Sequence, residues 1–273
     1  MNFKQILHYI QHNLAKSKLG TDLAIKLRNQ CNCIIAYHLA ETSDHHENGE
    51  LWLIKRIAPN CSTFIDVGAY IGDWTECFLN SAREGCLGLV FEPGESAFQQ
   101  IEKKFSNNLN LTLIQSACSD TIGETIFYDI YPMQSSSLTK YKQNSDIMKT
   151  KTVKVSTIDQ EIKNRNWDSI DFLKVDCEGY DLQVLRGSKE VLSQQKVGII
   201  QFEYGEYWAR SGSTLLSCFE FLNSFQYEIF LLGKNGLLKF NYELYGEYFR
   251  YSNFVAIAQN QMDTYRELIK GVA

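Results

Sequence analysis

The stretch "TFIDVGAYIGDW", residues 63–74, sets an aspartate near the end of an apolar run, then a glycine, then a second glycine four residues on. A carboxylate beside a buried run is costly unless its charge is compensated. The apolar run ending at Val67 reads as a short strand. Gly68 permits a tight turn, and Gly72 lets a helix running from about 72 to 82 start close to a ligand. In open α/β sheets ligands bind outside the carboxyl ends of the strands, where Asp66 and Gly68 fall.

Working outward, the alternation repeats. A strand "LGLVFE" (87–92) precedes a helix through Phe98, Ile101 and Phe105, and a strand "LTLIQSA" (111–117) follows. The interval 121–165 reads as an excursion, with half-buried strands "ETIFYDIY" (124–131) and "TVKVSTI" (152–158) and a polar loop "SSSLTKYKQNSD" (135–146). Alternation resumes with strand "DFLKVD", helix "DLQVLRGSKEVL", strand "GIIQFE" and helix "TLLSCFEFLNSF". Strands "YEIFLLG" and "SNFVAIA" close the series. This order predicts a mainly parallel sheet with helices on both faces.

Upstream, Phe3, Ile6, Leu7, Ile10 and Leu14 follow helical spacing, and Ala24, Leu27, Cys31, Ile34, Ile35 and Leu39 form a second helical face. The expected division is a helical cap over residues 1–50 and an α/β domain over 51–273. The chain has 273 residues and a formal charge of -5, which argues against a general nucleic-acid binder. The N-terminus lacks the apolar core and cleavage site of a signal peptide, and no apolar run approaches a membrane span. Eight cysteines without a CxxC pair suggest reduced thiols and a cytoplasmic setting.

Acidic residues recur where strands end: Asp66, Glu92, Asp176 and Glu203. A pyrophosphate cofactor prefers G-x-G-x-x-G without nearby carboxylates, but this chain has D-x-G-x-x-x-G and no Tyr-x-x-x-Lys pair. A nicotinamide-dependent oxidoreductase is therefore disfavoured. S-adenosylmethionine, with a sulfonium, an ammonium and a ribose but no phosphate, fits better. Lys174 and Asp176 have the same strand parity and share a face. A lysine there is expensive unless paired, and Glu178 is the nearest partner in sequence.

The chain resembles a class I methyltransferase, in detail the FkbM family. The resemblance rests on "DVGAYIG", "FEP" and "IDFLKVDCEGYDLQVLRGS", on Thr157-Ile158-Asp159, on Ser136-Ser137-Leu138, and on Asn253 to Ala256. It covers roughly residues 50 to 258. Where this chain has Tyr70 the family commonly has Asn, and where it has Asp181 the family has Glu. The resemblance implies a Rossmann-like fold with a mostly parallel seven-stranded sheet. It assigns Gly68 and Ala69 to the methionine moiety, with Asp66 holding that loop or reaching the ammonium, and Tyr70 and Gly72 beside them. Glu92, followed by Pro93, would hold the ribose diol, and Ser116 and Ala117 the adenine edge. Asp66 as a helix cap, Glu92 as a surface carboxylate and Ser116–Ala117 as ordinary strand packing are the plainer alternatives.

The expected activity is O-methyl transfer to a hydroxyl of a sugar, polysaccharide or secondary metabolite. Asp176, Glu178, Lys174 and Glu203 are the candidate catalytic residues, with a buried structural ion network as the alternative for Lys174 and Asp176. All five histidines precede residue 47, so a histidine base would have to be delivered by the N-terminal cap, and otherwise Asp176, Glu178 or Glu203 must act. Asp176 and Glu203 are also weak candidates to hold Mg²⁺ or Mn²⁺. The segment "FEYGEYWARSG" (202–212) suits a polyhydroxylated acceptor or, equally, a hydrophobic lid. A non-catalytic S-adenosylmethionine-binding module is the remaining alternative.

Overall fold

The computed structural model describes residues 2–39, 41–131, 138 and 147–273. Ser136 and Ser137 of the expected Ser-Ser-Leu loop lie outside the described residues. The chain divides into two compact units, Met1–Glu41 and Thr42–Ala273. The first is two helices, α1 (Phe3–Ala15) and α2 (Lys18–His38). Asn2 and Gln5 form a reciprocal capping box at the start of α1, and the Ser17 hydroxyl accepts the Gly20 N–H at the start of α2. No described helix is long and apolar enough to cross a membrane.

The second unit opens with α3 (Glu50–Ile57) and alternates through β1 (Thr63–Val67), α4 (Asp73–Leu79), β2 (Leu87–Phe91), α5 (Glu95–Lys104) and β3 (Leu111–Ile114). The excursion comprises β4 (Ala117–Cys118), β5 (Gly123–Tyr131) and β6 (Ile147–Ser156). Next come α6 (Ile158–Arg165), β7 (Ile170–Val175), α7 (Asp181–Arg186), α8 (Lys189–Ser193) and β8 (Val197–Tyr204). The chain ends through α9 (Glu206–Ser211), α10 (Leu215–Ser224), β9 (Tyr227–Gly233), β10 (Gly236–Lys239), α11 (Tyr242–Tyr245), β11 (Ser252–Ala258) and β12 (Ile269–Val272).

Among the described residues the main sheet has nine strands, in the order β12-β10-β9-β11-β8-β7-β1-β2-β3. From β3 to β8 every pairing is parallel, and β11 runs antiparallel between β8 and β9. The expected seven strands are all present, but the count is corrected to nine. A two-residue turn between Gly233 and Gly236 folds β10 back on β9, and β12 then pairs with β10. The run 111–117 is also not one strand. At Ser116 the chain leaves the main sheet, and the Ser116 hydroxyl donates to the carbonyls of Ala117 (2.9 Å) and Lys154 (2.8 Å). β4 then joins a separate three-stranded sheet, β4-β6-β5.

Register positions the site. Phe64, Phe172, Ile199 and Ile257 pair across β1, β7, β8 and β11, and all four are fully buried. Side chains two residues apart share a face, so the next row toward the carboxyl ends is Asp66, Lys174, Gln201 and Val255. Beyond it stand Asp176, Glu203 and Asn253. The apolar row packs beneath α3 and α4 through Leu53, Ile54, Ile57, Trp74 and Phe78. The Phe78 ring lies 4.5 Å from Phe64 and 5.6 Å from Phe172, centroid to centroid. Burying each such phenyl ring contributes about 1.5–3 kcal/mol.

Candidate active site

Lys174 is buried, and its ammonium stands 3.0 Å from Asp176 Oδ2 and 3.8 Å from Asp66 Oδ1. It also lies 5.4 Å from the centroid of the Trp74 ring. Burial alone would lower its pKa, but Asp176, Asp66 and Glu50 reverse that and raise it, so Lys174 is a charged residue. Its partners are the two strand-face aspartates rather than Glu178, which corrects the expectation from sequence proximity. The strand stops at Val175, and the chain turns at Glu178 (φ +50°) and Gly179 (φ +97°), so Glu178 no longer follows strand parity.

Burial pushes the Asp66 carboxyl up, while Lys174 and the Thr75 hydroxyl, which donates to Oδ2 at 2.5 Å, pull it back. Asp66 Oδ1 has no hydrogen-bond partner among the described residues. The Gly68 and Ala69 N–H groups both donate to the Phe91 carbonyl, at 3.1 and 3.0 Å. What Gly68 has to offer a ligand's ammonium is thus its carbonyl oxygen. Gly72 packs against α5, since a β-carbon there would stand 2.6 Å from the Phe105 ring. The close approach at Gly72 is therefore to protein.

Glu92 is buried at the end of β2 and holds the turn opposite. Its Oε2 accepts the Tyr70 N–H at 2.8 Å, and its Oε1 accepts the Gly94 N–H at 2.6 Å. The two backbone N–H groups therefore pre-orient the carboxylate. Tyr70 itself has φ +50°, a left-handed conformation in which Asn is favoured over aromatics. A cleft adjoins this turn, lined by Gly68, Phe91, Pro93, Ser116, Ala117, Cys118, Phe127, Leu138 and Tyr180 among others. Leu138 belongs to the Ser-Ser-Leu motif of the sequence, whereas Phe127 was not singled out there. Phe127 was legible only as one inward position of an alternating strand.

An acidic rim borders the other side. Burial, with like charge from Asp176, Asp181 and Glu206, pushes the Glu178 carboxyl up to about 8. Burial and Asp176 push Asp181 up to about 8 as well. Glu203 is raised well above the usual carboxylate range by burial, then by Asp176 and Glu178. A second cleft next to Glu203 is lined by Gly205, Glu206, Tyr207, Phe249, Arg250 and Tyr251. Trp208 is part of the core, its indole N–H donating to the Glu203 carbonyl at 2.8 Å. The segment 202–212 is thus core on one side and cleft wall on the other.

A divalent metal does not fit here. Asp176 already faces the Lys174 ammonium at 3.0 Å, which a dication would have to displace. Among the described residues no group of three or more His, Cys, Asp or Glu side chains could hold a metal ion. The Thr157–Asp159 motif is structural. Thr157 caps α6, and Asp159 accepts the N–H groups of Glu190 (2.8 Å) and Val191 (3.0 Å) at the start of α8.

One cluster was missed in the sequence. Glu50, buried at the start of α3, accepts from Gln201 Nε2 at 2.6 Å and from Asn48 Nδ2 at 3.0 Å. Its Oε2 also pairs with His45 Nδ1. Asn48 and Asn253 both donate to the Tyr251 hydroxyl, at 3.2 and 3.1 Å. The network therefore continues the Asp66–Lys174–Gln201 row.

Comparisons with known proteins place the chain in a family. The model of the methyltransferase FkbM domain matches residues 66–229, and the chain belongs to the FkbM methyltransferase family, a family of S-adenosylmethionine-dependent methyltransferases. No curated protein matches. Among solved structures, it is similar to an FkbM methyltransferase from Methylobacillus flagellatus KT, with 17% identity and a TM-score of 0.47. That match covers 72% of this chain but only 43% of the Methylobacillus chain. An O-methyltransferase from Bacillus cereus, in complex with SAH, matches at 11% identity and a TM-score of 0.39, covering 85% of this chain and 90% of that one. A precorrin-6y C5,15-methyltransferase from Geobacter metallireducens GS-15 matches at 9% identity and a TM-score of 0.45, covering 80% and 91%.

Proposed function

We propose that the protein is an S-adenosylmethionine-dependent O-methyltransferase acting on a hydroxyl of a sugar, polysaccharide or secondary metabolite. The observation that carries the cofactor assignment is Glu92, a buried carboxylate at the end of β2 that two backbone N–H groups hold in place beside the cleft. In this reading Glu92 holds the ribose. Ser116, Ala117, Cys118 and Phe127 flank the adenine, and the backbone at Gly68 meets the methionine end. Bound there, the cofactor supplies an electrophilic methyl group on a sulfonium.

Catalysis then rests on positioning. Lys174 fixes Asp176 at the mouth of the row, and Asp176 orients the acceptor hydroxyl in a near-attack geometry. Glu178 and Glu203 line the acceptor side. The aromatic and charged lining by Tyr207, Phe249 and Arg250 favours a polyhydroxylated acceptor over an apolar one.

The test is calorimetric titration with S-adenosylhomocysteine, run beside Glu92→Ala. Binding to the parent that weakens at least about tenfold in the variant supports the assignment; this is the scale of one lost charge-assisted hydrogen bond. Equal binding by both removes Glu92 from its role. No binding to folded parent protein removes the cofactor itself.

A further inference from the structure

The geometry points to His45, oriented by Glu50, as the general base that takes the proton from the acceptor hydroxyl. The inference deepens the O-methyltransferase reading above and rests on it. Its starting point is position. Gln201 pairs in register with Lys174 on β7, and Glu50 receives the Gln201 side-chain amide at 2.6 Å. Glu50 therefore sits over the same sheet face as Asp66 and Lys174. That row leads into Asp176 and Glu203 at the strand ends. His45 belongs to the same compact unit as these residues.

The imidazole is built like a base. Its Nδ1 faces the Glu50 carboxylate, which fixes the tautomer with the proton on Nδ1 and the lone pair on Nε2. The side chain is 58% exposed, whereas Glu50 is 2% exposed. A buried carboxylate orienting an accessible imidazole through Nδ1 is the arrangement that general-base catalysis requires. Glu50 is itself held by Asn48 and Gln201, and carries no freedom to swing away. Asp176, the nearest rim carboxylate, is committed to Lys174.

The step balances. The acceptor oxygen forms a bond to the methyl carbon as the bond from that carbon to sulfur breaks, and the electron pair of the broken bond stays on sulfur. The hydroxyl proton passes to His45 Nε2 and leaves from there to water. Groups acting on the imidazole are Glu50 on α3, Lys174 on β7 and Asp176 just beyond the end of β7. Glu203 and Tyr251 lie within electrostatic reach of Glu50. Glu50 raises the His45 pKa through its hydrogen bond, burial lowers it, and the balance lies above the ordinary 6.5.

The experiment uses the full chain, labelled S-adenosylmethionine and a panel of methyl glycosides, with His45→Gln and Glu50→Gln compared against the parent. His45→Gln should lower kcat by about 100-fold or more, leave S-adenosylhomocysteine affinity unchanged, and erase the acid limb of the pH–rate profile. Glu50→Gln, a positioning change, should lower kcat less and move that limb to lower pH. A readout without turnover is the NMR titration of His45 in cofactor-free protein, where the imidazole should titrate above 6.5 in the parent and lower in Glu50→Gln. Near-parental kcat with the acid limb intact in His45→Gln overturns the base and leaves the O-methyltransferase reading standing. An unchanged His45 titration in Glu50→Gln overturns the orienting pair. Parent protein that binds S-adenosylhomocysteine but methylates no glycoside overturns the hydroxyl-acceptor reading, and the base with it.

Discussion

Gly68 approaches Asp176 so closely that a β-carbon on it would stand 1.8 Å from the Asp176 carbonyl oxygen. Its φ of +85° independently excludes most side chains. The glycine therefore locks the β1 turn to the β7 turn, and the sheet edge depends on both. Gly68→Ala should cost about 3 kcal/mol or more from clash and left-handed strain together. Thermal unfolding and S-adenosylhomocysteine calorimetry on the variant check this. A variant with parental stability and affinity would mean that the two turns can separate freely.

Tyr70 is a bulky residue in a left-handed conformation, retained while its N–H bonds Glu92. Asn relaxes that strain, and the bond to Glu92 is made by the backbone, so it survives the change. Tyr70→Asn should stabilise the protein by roughly 0.5–1 kcal/mol. The urea midpoint is the measurement, and a lowered midpoint would show that the exposed ring contributes packing.

Lys174→Met leaves Asp66 buried without its counter-ion. The expected loss is about 3–5 kcal/mol. Adding Asp66→Asn removes the orphaned charge and should recover most of it. Denaturant unfolding of the single and double variants decides the matter, and a single-variant loss below about 1 kcal/mol would show that Asp66 is already protonated.

Asp181 yields a pH test. Its Oδ2 accepts the Gly179 N–H at 3.2 Å, while Oδ1 is buried without a hydrogen-bond partner among the described residues. Burial and Asp176 raise the folded pKa from 3.8 to about 8. Between those values the folded state holds a proton that the unfolded state has released, so this group makes stability fall as pH rises through the window. Asp181→Asn removes that slope, and the variant should gain on the parent between pH 4 and 8. Parallel stability curves for the two proteins across that range would refute the shift.

Much of this was legible in the sequence because strand parity and glycine punctuation are local signals. They place Asp66, Gly68 and Glu92 at strand ends, and Lys174 and Asp176 on one face. What they miss is pairing across distance. Lys174 meets Asp66 through register between β1 and β7, and Glu50 meets Gln201 across 151 positions of chain. β10 and β12 are four residues each, too short for periodicity to register, and the seven-stranded expectation fell to them. His45 counted in the sequence only as one of five histidines before residue 47, since nothing local announces that Glu50, five residues on, is buried and held by Gln201 of β8.

The reversed strand β11 has a further consequence. Its direction brings its first residues, Ser252 and Asn253, to the edge where its neighbours finish. The stretch that borders Glu203 there, including Phe249, Arg250 and Tyr251, precedes a strand instead of linking one to a helix. The residues assigned to the cofactor fall between 66 and 138. In the reading proposed here, substrate preference and cofactor preference are inherited on separate stretches of gene. Insertions before Ser252 can retarget the enzyme while the methyl-donor half is copied unchanged.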